Sequence, residues 1–412
     1  MRYSTWLMLS AVLWINACGT FAFNQSSVPG TSGIGTVSIR PVGASVQTGL
    51  GCLKSVEEFK IQAADNVQRA QFLNPADGWI SSNRSLFMTN DSGKTWEKLR
   101  LSIPKDGRIG SFFFLSQQNG WVAVVRGMSS EQNGVSYASR LSVTSDGGKT
   151  WTERNHFDHE VEVEVLRFLN PKVGFAAGRR MVRAKVSYPG MFLARTDDGG
   201  TTWRDVSAEA KRAIADATGS SNDYVVDIVF TPQGKVSVLT AFGRIITSSD
   251  SGKSWQQINQ FRDERPQTGY QKLVLYDDTM VVLSGTISQE GIWGDLILQD
   301  TREGWTTYEV NNVALFDLEF LSRDVIVAAG GAFKGYGRPS SEYNGRLLPG
   351  VILRSTDGGK NWLEIYRSKS NLPIVDVIKV GANQLYAIGT EGTFLKLEMQ
   401  ACNASNSAAA MP

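Results

Sequence analysis

One eight-residue phrase recurs through the chain: a hydroxyl residue, any residue, Asp, any residue, Gly, any residue, Thr or Ser, and Trp. It stands at Thr89 to Trp96, Thr144 to Trp151, Thr196 to Trp203, Ser248 to Trp255 and Ser355 to Trp362, with Asn361 in place of the last hydroxyl. A worn copy at Leu298 to Trp305 keeps Asp300. The closing tryptophans are 55, 52, 52, 50 and 57 residues apart along Trp96, Trp151, Trp203, Trp255, Trp305 and Trp362. That period leaves room for four short strands per unit, which predicts an all-β propeller. In each phrase the carboxylates of Asp91, Asp146, Asp198, Asp250 and Asp357 can accept N–H bonds of a hairpin turn, and the Gly supplies a positive φ.

A second pattern, apolar strand, polar turn and apolar strand, occurs seven times. It begins at Phe72, Phe113, Phe168, Val229, Leu273, Leu318 and Val377. After the seventh, only Thr393 to Glu398 remains before a polar tail, while an unclaimed strand, Val56 to Ile61, precedes the first. Seven blades are therefore expected, with the ring closed by N- and C-terminal strands in one blade, which removes free sheet edges. The expected domains are a signal segment at 1–18, a flexible tether at 19–51, the propeller at 52–402 and a disordered tail at 403–412.

The N-terminus reads as an export signal. A short basic start precedes an apolar run from Trp6 to Ile15 that is too short to span a bilayer, and Ile15-Asn16-Ala17-Cys18 follows. This resembles a bacterial lipobox, which implies lipidation at Cys18 and attachment to the bilayer in the cell envelope, with the outer membrane or periplasmic side favoured. An ordinary cleaved signal is the alternative. Cys52 lies just before the N-terminal closing strand and Cys402 just after the C-terminal one, so antiparallel pairing of those strands would bring the two thiols together as a disulfide.

Charge excludes some classes. With 42 Lys and Arg against 40 Asp and Glu, no general electrostatic footprint for nucleic acid exists. The Gly-Lys-Thr/Ser strings at Gly93, Gly148 and Gly252 lack the upstream Gly of a phosphate loop and lie inside the repeated phrase. His156 and His159 form a His-x-x-His string in what reads as a polar loop, and neither a metal nor a cofactor is expected. Binding is expected on the face that carries the long loops, where Arg126, Arg179, Arg180, Arg183 and Arg244 gather, because Arg suits bidentate contact with carboxylates. A solvated, charge-balanced rim is the plainer alternative, since Asp223, Asp263 and Glu264 are near.

The repeated phrase resembles the Asp-box, or bacterial neuraminidase repeat. Taken with Phe168-Leu169-Asn170-Pro171-Lys172-Val173-Gly174-Phe175, it makes most of residues 57–398 similar to the photosystem II stability/assembly factor family. The resemblance implies a non-enzymatic envelope propeller that binds membrane proteins or assembly intermediates, partly through an arginine-rich face, here Arg126, Arg179, Arg180, Arg183 and Arg244. The alternative function is a glycan-binding or sialidase-like propeller.

Overall fold

The computed structural model describes residues 36–38, 40–41, 53–61, 67–130, 134–157, 160–180, 190–214, 223–231, 233–261, 268–277, 279–288, 291–300, 304–311, 313–332, 349–369 and 372–400. The expected Cys18 anchor, the Cys52–Cys402 pair, Arg183, His159 and the tail lie outside them. Among the described residues the strands form seven antiparallel sheets, each a blade, in the order the two repeated patterns predict. Blades 2 to 6 take four consecutive strands each, starting at Gly107, Val161, Val225, Thr268 and Val313.

Ring closure has the predicted form. Blade 7 runs Ile374–Lys379, Gln384–Gly389, Thr393–Met399 and then, from the other end of the chain, Leu53–Lys60. The last two pair antiparallel from Leu53↔Met399 to Lys60↔Thr393. The apolar side chains of each blade pack on the next rather than into one central core. Trp79 of blade 1 stacks on Phe114 of blade 2 at 4.1 Å, and Trp121 of blade 2 on Phe168 of blade 3 at 3.7 Å. Such burial excludes water blade by blade, so stability is spread around the ring.

Four local details differ from the sequence reading. Part of the segment read as a tether is paired: Thr36–Ser38 adds a fifth strand to blade 1 against Thr95–Lys98, and Arg40–Pro41 adds one to blade 7. On the face expected to carry long loops, Gly120–Ser130 and Gly134–Thr144 instead pair as a long hairpin. The segment after Val206 contains a helix, Ser207–Ala213, whose Ala210 is buried against blades 3 and 4. His156 ends the strand Thr152–His156 rather than sitting in a loop.

Each repeated phrase is the turn between the third and fourth strands, with one geometry. At the first, the Thr89 hydroxyl donates to Asp91 (2.8 Å) and accepts from the Gly93 N–H (2.8 Å), while Asp91 accepts from the Thr95 N–H (2.9 Å) and hydroxyl (2.6 Å). The fifth copy shows why Asn361 is tolerated, since its side-chain amide donates to Asp357 at 2.6 Å in place of the hydroxyl. Two successive residues in each turn have positive φ. The first can be Ser92 or Ser251, but the second is glycine in every described copy. A Cβ on Gly93 would lie 2.5 Å from the Phe394 ring, and one on Gly252 2.7 Å from Phe175. Close approach to the neighbouring blade, as well as φ, selects glycine there.

Candidate functional site

The boxes and the inner hairpin turns share one face: the Ser92 N–H donates to Ala76 O and the Gly199 N–H to Lys172 O. The opposite face carries the connections from the second strand to the third and from blade to blade. Arg126, Arg179 and Arg180 sit at the outgoing ends of second strands, and Arg244 begins a third strand, so all four described candidates lie at that opposite end of blades 2, 3 and 4.

Their charges are not open. Arg126 pairs with Asp106 at 2.6 Å, both side chains 44% exposed, and Arg180 pairs with Asp205 at 2.5 Å. Arg180 also lies over the Phe192 ring, 5.5 Å from its centroid. Arg179 is held more deeply. It pairs with Glu162 (2.8 Å) and Glu164 (3.2 Å), which also bind Arg108, and its guanidinium lies 5.4 Å from the Tyr224 ring centroid. Burial and the adjacent Glu164 charge push Glu162 above the usual carboxylate range, against the pull of the two arginines. Burial likewise raises the Tyr224 phenol.

Arg244 is buried, 4% exposed, and pairs with the equally buried Asp223 at 2.9 Å. Its role follows from its partner. One oxygen of Asp223 accepts the Tyr224 N–H (3.0 Å) and the Phe242 N–H (3.1 Å), so the pair holds the turn Ala241 to Gly243 in place. At the tip of that turn Phe242 is 45% exposed, and with Leu73 on the opposite face it is one of two large apolar side chains exposed among the described residues. Arg244 thus positions a turn instead of presenting its own charge.

Sequence reasoning missed Phe242, Arg108, Glu162 and Tyr224. The one available signal for Phe242 is an aromatic in a short turn, Thr240-Ala241-Phe242-Gly243, where a polar residue would ordinarily sit. Arg108 and Glu162 stand on the first strands of blades 2 and 3 and Tyr224 just before that of blade 4, and no sequence spacing announces their meeting. The result is a mouth of paired charges across blades 2 to 4 with an exposed phenylalanine beside it.

Comparison with known proteins fits this geometry. Residues 74–283 match the family model of the BNR repeat-like domain, half of the chain. The chain belongs to that family. The photosystem II assembly lipoprotein Ycf48 of Synechococcus sp. (strain CC9902) is 26% identical to this chain over 171 residues. That match covers 41% of this chain and 45% of the relative, so it spans less than half of the relative's length. Among solved structures, Ycf48 bound to a D1 peptide is 18% identical with a TM-score of 0.57, covering 85% of this chain and 100% of that one. Ycf48 from Cyanidioschyzon merolae is 17% identical with a TM-score of 0.54, covering 88% and 99%. A GH74 xyloglucanase from Xanthomonas campestris is 14% identical with a TM-score of 0.57, covering 90% of this chain and 54% of the enzyme. At such identities the likeness is one of fold alone.

Proposed function

We propose that this BNR repeat-like propeller is a non-enzymatic assembly scaffold that holds a peptide segment of a membrane protein or assembly intermediate on the mouth of blades 2 to 4. The observation that carries the reading is Phe242, an exposed aromatic fixed by a buried ion pair beside the arginine-carboxylate network. A rigid aromatic anchor ringed by exchangeable polar groups is the usual make-up of a binding hot spot. The exposed pairs Arg126–Asp106 and Arg180–Asp205 lose little when opened, so an incoming carboxylate can replace the internal one. The similarity to Ycf48, one structure of which holds a D1 peptide, supports a peptide occupant.

The same reading includes export, lipid anchoring through Cys18 and a Cys52–Cys402 disulfide. Pairing of Leu53 with Met399 supports the disulfide, since Cys52 immediately precedes Leu53 and Cys402 follows Met399 by three residues. Membrane fractionation of Cys18→Ser tests the anchor, and mass spectrometry of the non-reduced chain tests the bridge.

The test of function is crosslinking in intact membranes, with captured proteins identified. Phe242→Ala and Arg180→Glu should each cut capture at least tenfold while leaving the melting temperature unchanged, and Lys94→Glu in a box turn should do little. Equal capture by all three variants would sink the assignment to this mouth.

A further inference from the structure

The inner strand of each blade lines the central channel, and one register position in it joins blade to blade. The position lies three residues before the strand's last paired residue and holds Ser111 in blade 2, Asp227 in blade 4, Asp317 in blade 6 and Asp376 in blade 7. Each accepts a backbone N–H from the next inner strand: Ser111 from Leu166 (3.1 Å), Asp227 from Leu273 (3.1 Å), Asp317 from Val377 (3.1 Å) and Asp376 from Ala70 (2.8 Å). The last of these spans the seam between blade 7, where the ring closes, and blade 1.

The four stitches are not equivalent. Asp227 is held by Arg167 of blade 3 at 3.1 Å. Asp317 is held by Lys272 of blade 5 and by the Leu318 N–H at 2.7 Å. The Asp376 carboxyl faces that of Asp317 and accepts the Ala70 N–H from blade 1. Two carboxyl groups can hydrogen-bond to each other only if one carries a proton. The charged groups around the pair are Lys272 from blade 5, Glu319 from blade 6, Lys379 from blade 7, Arg69 from blade 1 and, beyond Arg69, Asp227, Arg167 and Glu164.

We propose that Asp376, set between Asp317 and the Ala70 N–H, keeps a proton toward Asp317 and so forms a pH-sensitive latch across blades 6, 7 and 1, tight in mild acid and slack at higher pH. Burial and the Asp317 charge hold Asp376 well above the ordinary carboxylate range, with Lys272 opposing them. The sign follows from linkage. A proton bound more tightly by the folded ring than by the unfolded chain stabilises fully below the unfolded value, about 3.9, and that stability declines as pH rises through the folded one. When that proton leaves Asp376, two negative charges face each other. Asp376, the less firmly held, swings away and the Ala70 N–H loses its acceptor.

The experiment follows thermal unfolding of the full chain from pH 5 to pH 9. The unaltered chain should melt at lower temperature as pH rises. Asp376→Asn, whose amide can donate to Asp317 while its carbonyl accepts from Ala70, should flatten that slope and melt about 2 °C higher than the unaltered chain at pH 9. Glu319, pushed up to about 7 by burial and the Asp317 charge, would add a slope of the same sign, so Glu319→Gln is run in parallel. The slope should survive in Glu319→Gln. A slope that persists in Asp376→Asn, or that vanishes in Glu319→Gln alone, overturns the latch. Hydrogen exchange on the unaltered chain needs no variant to fold. After correction for intrinsic rates, protection at Ala70 should fall at least tenfold from pH 5.5 to 8.5 while that at Leu273, which bonds the Arg167-held Asp227, does not. Parallel behaviour of the two amides would also overturn it.

Discussion

The two ends of the propeller are built on opposite plans. On the box face five turns repeat one set of bonds to within about 0.2 Å, from the 2.6 Å hydroxyl contact of Asp91 to that of Asp250. On the mouth face blades 2, 3 and 4 each differ: blade 2 extends as a hairpin, blade 3 ends in Arg179 and Arg180, and blade 4 turns sharply at Phe242. Repetition marks the end whose bonds are local and whose work is to hold the ring. Variation marks the end where partners of each charge come from other strands, and that is where a scaffold can acquire a specific ligand.

The contrast breaks most visibly at the box tryptophan nearest the seam. Trp96 is fully buried, edge-on to Phe394 across the blade 7 and blade 1 junction and to Phe72 in its own blade, so Trp96→Ala should cost about 3–5 kcal/mol by denaturant unfolding. A loss near zero would mean that the boxes do not carry the ring. On the mouth face Arg244→Ala leaves Asp223 buried without its guanidinium and should cost about 3 kcal/mol. If the variant instead kept full stability and lost only partner capture, Arg244 would be a contact residue after all.

Smaller effects sharpen the same contrast. Thr89→Ala removes a buried hydroxyl that serves both the Gly93 N–H and Asp91, for about 1–2 kcal/mol. The boxes also give an acid limit. Hydrogen bonds from Thr150 and Thr144 hold Asp146 down at about 2, below its unfolded value, so its stabilisation is complete above about pH 4 and fades as pH falls toward 2. An acid titration followed by tryptophan fluorescence should show that loss, and Asp146→Asn should weaken it. Last, Arg126→Ala breaks an ion pair that is half exposed on both sides and should leave the unfolding midpoint within measurement error.

Much of the box face was legible because hairpin turns are short-range objects. Asp91, Gly93 and Thr95 are close in sequence, and their bonds are made within the same eight residues. Blade number and closure were legible too, since seven inner hairpins against six boxes leave Leu53–Lys60 only one place to go. The channel stitches left a fainter trace: an acid in an apolar run at Asp227-Ile228-Val229-Phe230 and Asp317-Leu318-Glu319-Phe320, readable only once the register is known.

By itself, then, the sequence determined the periodic part of this protein, its turns, blade count and closing strand, because those depend on neighbours along the chain and on hydrophobic alternation. Which arginines were open and which were spent was decided by the tertiary structure. Arg244 and Arg179 look alike as letters beside polar loops. Asp223 precedes Arg244 by 21 residues, and Glu162 precedes Arg179 by 17. Whether a charge faces water or a buried carboxylate depends on strands brought together by folding, and Coulombic pairing at 3 Å outweighs anything the local sequence prefers.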